Sequence, residues 1–112
     1  MRSQQEVNMI VSQLCAGLRP LFPQGAMEAI LFGSYARGDY DAESDVDLLV
    51  RIDCPAEKLR DYQRSFIALS AALSLEYGVE VSISLADTGT YDRYKRYLPF
   101  YENIEQEGIR IA

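Results

Sequence analysis

The stretch Asp45–Ile52, DVDLLVRI, sets Val46, Leu48, Val50 and Ile52 on one side of an extended chain and Asp45, Asp47, Leu49 and Arg51 on the other. A period of two is that of a β-strand with one face in a core, and a helix cannot keep it. The two aspartates therefore fall on the same face, with Cα atoms about 6.7 Å apart. Two more segments read as strands. MEAILF (27–32) is too short for a helix and ends on Gly33. VEVSISL (79–85) turns Val79, Val81, Ile83 and Leu85 inward and leaves Glu80, Ser82 and Ser84 on a polar face.

Between and around these runs the period changes to that of a helix. Val7, Ile10, Val11, Leu14 and Leu18 mark a first helix over residues 4–18, with Ser3 and Glu6 at capping-box spacing and Pro20 and Pro23 to stop it. Residues 33–44 form a polar loop. After Pro55, the positions Leu59, Tyr62, Phe66, Leu69 and Leu73 define the buried stripe of a long helix, with Gly78 as its C-cap. From Asp87 onward the chain reads as one or two short helices carrying Tyr94, Leu98, Tyr101 and Ile104, closed by Gly108 and a short apolar tail. The order helix, strand, loop, strand, helix, strand, helix predicts a layered α/β (α+β) domain, a β-sheet flanked by helices.

At 112 residues the chain suits one domain, and folding it buries roughly two thirds of the unfolded surface, enough for a core without metal or disulfide staples. A net charge of −6 argues against long DNA or RNA as a direct partner, because affinity for a phosphate backbone comes mainly from Lys and Arg. Cys15 and Cys54 match neither a disulfide framework nor a zinc spacing, and read as reduced thiols in a cytoplasm. No apolar run approaches the ~20 residues of a membrane span, and the N-terminus lacks a signal-peptide core. The expected location is cytoplasmic, with no membrane contact.

The chemistry concentrates in GSYARGDYDAESDVDLLV, residues 33–50. Paired carboxylates on one strand face converge on hard divalent cations, and Mg²⁺ typically takes one or two carboxylates plus phosphate oxygens. Gly33 and Ser34 stand where the preceding strand must turn, and glycine lets backbone N–H groups approach an anion. Arg37 offers a clamp for the same polyphosphate. Two cations ~3.5–4 Å apart would serve an in-line displacement, and Glu80 is the natural third carboxylate, as metal ligand or as base for an acceptor hydroxyl.

Gly33-Ser34, ten residues and then Asp45-x-Asp47 resembles the signature of the DNA polymerase β-like nucleotidyltransferase superfamily, and most closely its minimal nucleotidyltransferase (MNT) branch. The tail LPFYENIEQEGIRI is similar to that branch's closing helix and strand, so the resemblance covers almost the whole chain. It implies a mixed sheet flanked by helices in a single domain spanning residues 1–112, Mg²⁺ in a two-metal site, ATP as nucleotide donor, and transfer of a nucleoside monophosphate with release of pyrophosphate. By position, Gly33 and Ser34 would hold phosphate, Asp45 and Asp47 would bind metal, and Glu80 aligns with a third carboxylate that is often Asp in relatives. MNT proteins resemble antitoxins paired with small helical HEPN toxins, and transfer of AMP to a toxin tyrosine would silence the toxin. Larger relatives append a helical acceptor-binding domain, so the acceptor here is expected on another polypeptide.

Plainer readings stand beside these. Arg37 can be a solvent-facing loop arginine, and Glu80 mere polar surface. Ser44, a candidate nucleotide contact, can equally stabilise the loop, and Asp39, Asp41 and Glu43 read as loop solubilisers. Arg93, Lys95 and Arg96, interleaved with Tyr91, Tyr94 and Tyr97, suit either a stacking or partner surface or a solvated helix face over buried aromatic anchors. At the level of function, a module that neutralises its partner by contact alone, or an aminoglycoside-type small-molecule transferase, are the alternatives.

Overall fold

A computed structural model describes residues 4–22, 26–41 and 43–111. Helix α1 (Gln4–Leu18) runs into a 3₁₀ turn at Arg19–Leu21, with Pro20 at its start, and strand β1 (Met27–Phe32) follows. A short helix α2 (Ser34–Arg37) leads into β2 (Val46–Ile52). Helix α3 (Leu59–Tyr77), β3 (Val81–Asp87), α4 (Thr88–Tyr94), α5 (Pro99–Glu107) and β4 (Ile109–Arg110) complete the chain. The expected cap residue Ser3 and the helix-stopping Pro23 lie outside the described residues.

The four strands form one mixed sheet in the order β3-β2-β1-β4. β1 pairs antiparallel with β2, Phe32 opposite Asp47, and with β4, Ile30 opposite Arg110. β2 and β3 are parallel, Asp47 opposite Ser82, because α3 carries the chain back across the sheet before β3 begins. Two α3 serines hold that junction: Ser70 Oγ donates to the Val81 carbonyl, and the Val81 amide donates to Ser74 Oγ at 3.0 Å.

The strand expected over 79–85 runs two residues later. Helix α3 ends on Gly78 at φ +65, its N–H donating to the Ser74 carbonyl at 2.9 Å, and Val79 and Glu80 are spent returning the chain to the sheet. Glu80 therefore precedes β3 instead of sitting on its polar face. At the other end Asp87 closes β3 and caps α4, its carboxylate accepting from the Thr90 amide at 2.9 Å.

Both faces of the sheet are covered. Val46, Leu48, Val50 and Ile52 join the α1 stripe and Phe66 and Leu73 of α3 in the larger core. Each such aliphatic side chain, fully buried, stabilises the fold by about 1.5–3 kcal/mol. On the opposite face Ile30, Leu49 and Ala86 pack against Tyr91 of α4 and Ile104 of α5. Helices α4 and α5 thus cover part of the face that also bears Asp47, and Asp47 itself remains half-buried, with Ser82 beside it exposed. Both cysteines are free.

Candidate functional site

The site is built where β1 ends. Gly33 has φ +77, a backbone region that favours glycine, and its carbonyl accepts from the Ala36 and Arg37 amides at 3.1 Å each, which winds α2 into a single turn. Tyr35, buried and stacked on Tyr40 with centroids 4.5 Å apart, pins that turn to the core. Asp47 comes from the neighbouring strand. A Cβ placed on Gly33 would stand 2.5 Å from Asp47 Oδ2, so the carboxylate lies directly on the glycine backbone.

Asp45, exposed, precedes β2 by one residue, and the Glu80 carbonyl accepts from the Val46 amide at 2.9 Å. That bond holds the Glu80 backbone beside the residue between the two aspartates. Burial pushes the Asp47 carboxyl above its ordinary range, Asp45 and then Glu80 push it further, and Arg37 pulls the other way. Negative charge is thereby concentrated at one end of β2 and β3.

Two expected phosphate contacts are engaged with protein groups. Arg37 Nε donates to Asp39 Oδ2 at 3.2 Å and its guanidinium lies 3.5 Å from Glu107 on α5. Ser44 belongs to its loop: its Oγ accepts from the Asp41 amide at 2.9 Å and donates to Asp41 Oδ1 at 3.2 Å. Asp41 also accepts from the Glu43 amide at 2.8 Å, so Asp41 shapes the loop. Three residues were not among the expected ones. Ser82 stands opposite Asp47 in the parallel ladder, Phe32 stands opposite it in the antiparallel one, and the Phe32 ring meets Phe100 edge-on with centroids 5.5 Å apart. Alternation already set Ser82 on the polar face, but its register against Asp47 appears only once the strands pair.

Among the described residues, no three His, Cys, Asp or Glu side chains group closely enough to hold a metal by themselves. Asp45, Asp47 and Glu80 are electrostatic neighbours without forming such a cage. A half-buried carboxylate whose proton affinity is raised by two like charges is nevertheless relieved by a cation. The donor set fits a hard ion that brings further oxygen ligands with it, as Mg²⁺ does with substrate phosphates.

The fold is a mixed sheet flanked by helices, with Asp47 seated on a glycine bend and Asp45 and Glu80 adding charge at the same end of β2 and β3. Residues 12–111 match the nucleotidyltransferase domain, and the chain belongs to that family. It is a nucleotidyltransferase enzyme. Among its relatives, "Putative protein adenylyltransferase MJ0141" of Methanocaldococcus jannaschii is 30% identical over 109 residues, 95% of this chain and 99% of that one. "Putative protein adenylyltransferase MJ0604" of the same organism is 37% identical over 79 residues, covering 70% of this chain and 71% of the relative. The fold is shared with the crystal structure of "a putative nucleotidyltransferase from Sulfolobus solfataricus", at 20% identity and a TM-score of 0.55 over 96% of this chain and 80% of that one. A structure of "the toxin-antitoxin with AMP-PNP" superimposes at 19% identity and a TM-score of 0.53, over 92% of this chain and 70% of its own. No helix among the described residues is long and apolar enough to cross a membrane.

Proposed function

We propose that this nucleotidyltransferase moves AMP from ATP to a tyrosine hydroxyl of a helical HEPN-type toxin, with Mg²⁺, and so acts as that toxin's antitoxin. The observation that carries the reading is the seat of Asp47 on the Gly33 backbone, with Asp45 and Glu80 charging the same corner. Protein adenylyltransfer in the names of two relatives, and a toxin-antitoxin assembly with an ATP analogue in a shared fold, support the choice of nucleotide and of a protein acceptor.

In this reading Asp45 and Asp47 hold the metal, with Glu80 as third ligand or as base, and Gly33 and Ser34 hold phosphate. When bound, Mg²⁺ neutralises charge shared by the attacking and leaving oxygens. The tyrosine oxygen bonds to the α-phosphorus, the bond from that phosphorus to the pyrophosphate oxygen breaks, and the phenolic proton passes to a carboxylate. Arg37 would have to exchange its contacts with Asp39 and Glu107 for phosphate, and Ser44 would reach nucleotide only by leaving its Asp41 turn.

The test is incorporation of label from ATP carrying it in the α-phosphate, with Mg²⁺ and a candidate HEPN-type toxin. Label on a toxin tyrosine with the wild type, absent from Asp45→Ala plus Asp47→Ala and absent when only the γ-phosphate is labelled, is the expected result. Undiminished silencing of the toxin by the double variant would instead establish neutralisation by contact.

A further inference from the structure

The corner between α4 and α5 exposes apolar surface beside the site. Tyr94 is 38% exposed, Tyr97 76%, Leu98 43% and Phe100 46%, within one short segment. Tyr91 alone of the three interleaved tyrosines is the buried anchor; Tyr94 and Tyr97 face outward. The turn between the helices is closed by the Tyr97 and Leu98 amides, which both donate to the Tyr94 carbonyl at 2.9 Å. The corner also borders the carboxylates: Phe100 packs on Phe32, and Phe32 is the register partner of Asp47. Large apolar side chains left exposed close together in the chain are candidates for a binding face.

The corner also carries positive charge. Three of the eleven Lys and Arg of this acidic chain fall within Arg93–Arg96, and Lys95 is engaged by Asp92 at 3.6 Å. Arg93 and Arg96 are exposed and pair with no carboxylate among the described residues, as is also true of Arg19, Arg60 and Arg64; what sets Arg93 and Arg96 apart is their place among the exposed rings of Tyr94 and Tyr97 in the chain. In a molecule of net charge −6, two arginines without internal partners around exposed aromatic rings complement an acidic ligand that also has apolar groups to bury. A nucleic-acid strand fits less well, because its unbroken line of phosphates would have to pass the Asp45, Asp47 and Glu80 corner. A peptide can alternate carboxylates with aromatic residues and present a neutral tyrosine there.

We infer that the α4–α5 corner, with the exposed ring of Tyr97 and the neighbouring Arg93 and Arg96, docks an acidic, tyrosine-bearing segment of the acceptor protein. This assignment rests on the protein-acceptor reading above and adds the chemistry of the acceptor. Its test is binding in the absence of ATP, so that a failure of AMP transfer would count against the reaction alone. A fluorescein-labelled random copolymer of Glu and Tyr is titrated with the full chain at ~0.15 M salt, where long-range charge effects are screened beyond ~8 Å. The parallel titrations use a Lys and Tyr copolymer and an oligouridylate.

Saturable binding of the Glu–Tyr copolymer is expected, weakened about tenfold by Arg93→Glu plus Arg96→Glu and severalfold by Tyr97→Ser, with circular dichroism unchanged. The acidic chain as a whole would favour the basic copolymer, so preference for the acidic one isolates the local patch. No saturable binding by the wild type, equal binding by the charge-reversed variant, or tighter binding of the oligouridylate overturns the assignment.

Discussion

Asp47 lies so close over Gly33 that a methyl group on the glycine would stand 2.5 Å from Asp47 Oδ2. Gly33→Ala meets two penalties at once, a side chain at φ +77 and a displaced carboxylate. The backbone strain costs about 1–3 kcal/mol, read as a lower denaturation midpoint. Displacing the carboxylate by about 1 Å should lower nucleotidyl transfer by about a hundredfold. Transfer at the wild-type rate by a folded Gly33→Ala protein would mean that the bend does not position the reacting groups.

The raised proton affinity of Asp47 makes it a group that destabilises the fold when ionised. The folded state binds its proton more tightly than the unfolded state, so stability is fullest below the ordinary carboxyl value of 3.8 and declines as pH rises through the elevated native value. Asp47→Asn removes the charge. The variant should match the wild type below about pH 4 and exceed it at pH 7, by less than about 1 kcal/mol because water and salt screen a half-buried site. Urea titrations at the two pH values measure the difference. A variant less stable than the wild type at pH 7 would show that the carboxylate is needed structurally.

A ligand bound only by the folded state must raise its melting temperature. ATP with Mg²⁺ at about a hundred times its dissociation constant should add about 2.7 kcal/mol to the wild type. ATP alone should do less, and Asp45→Ala plus Asp47→Ala should lose the metal-dependent part. An equal shift in the double variant would place the nucleotide elsewhere.

Leu48 is fully buried in the centre of β2, whereas Leu75 on α3 is 87% exposed. Leu48→Ala should destabilise the fold by about 2–5 kcal/mol through lost transfer energy and a residual cavity. Leu75→Ala, at an exposed position in a helix, should fall within about 0.5 kcal/mol of the wild type. Chemical denaturation of the two variants checks the contrast.

Much of the architecture was legible because periodicity is a local property. The i, i+3, i+4 stripe of Val7 to Leu18 returned as α1, Gly78 capped α3 in the left-handed conformation, and MEAILF returned as β1 with its expected bounds. The boundary of the third strand was less legible. The two-residue return from the α3 cap and the capping role of Asp87 shifted it, and neither leaves a mark on the alternation of VEVSISL.

For the site, residue types and spacing alone single out Gly33, Asp45 and Asp47, since a glycine before a turn tolerates close approach and strand alternation would set two aspartates two residues apart on one face; in the fold only Asp47 lies within β2, and Asp45 precedes it. Tertiary pairing decided the rest. The antiparallel register brings Asp47 to the Gly33 bend, the parallel register sets Ser82 beside it, and α5 carries Glu107 to Arg37 and Phe100 to Phe32. Side-chain period is encoded in neighbouring residues, whereas strand register and helix docking depend on contacts between segments far apart in the chain, which form only when the whole core packs.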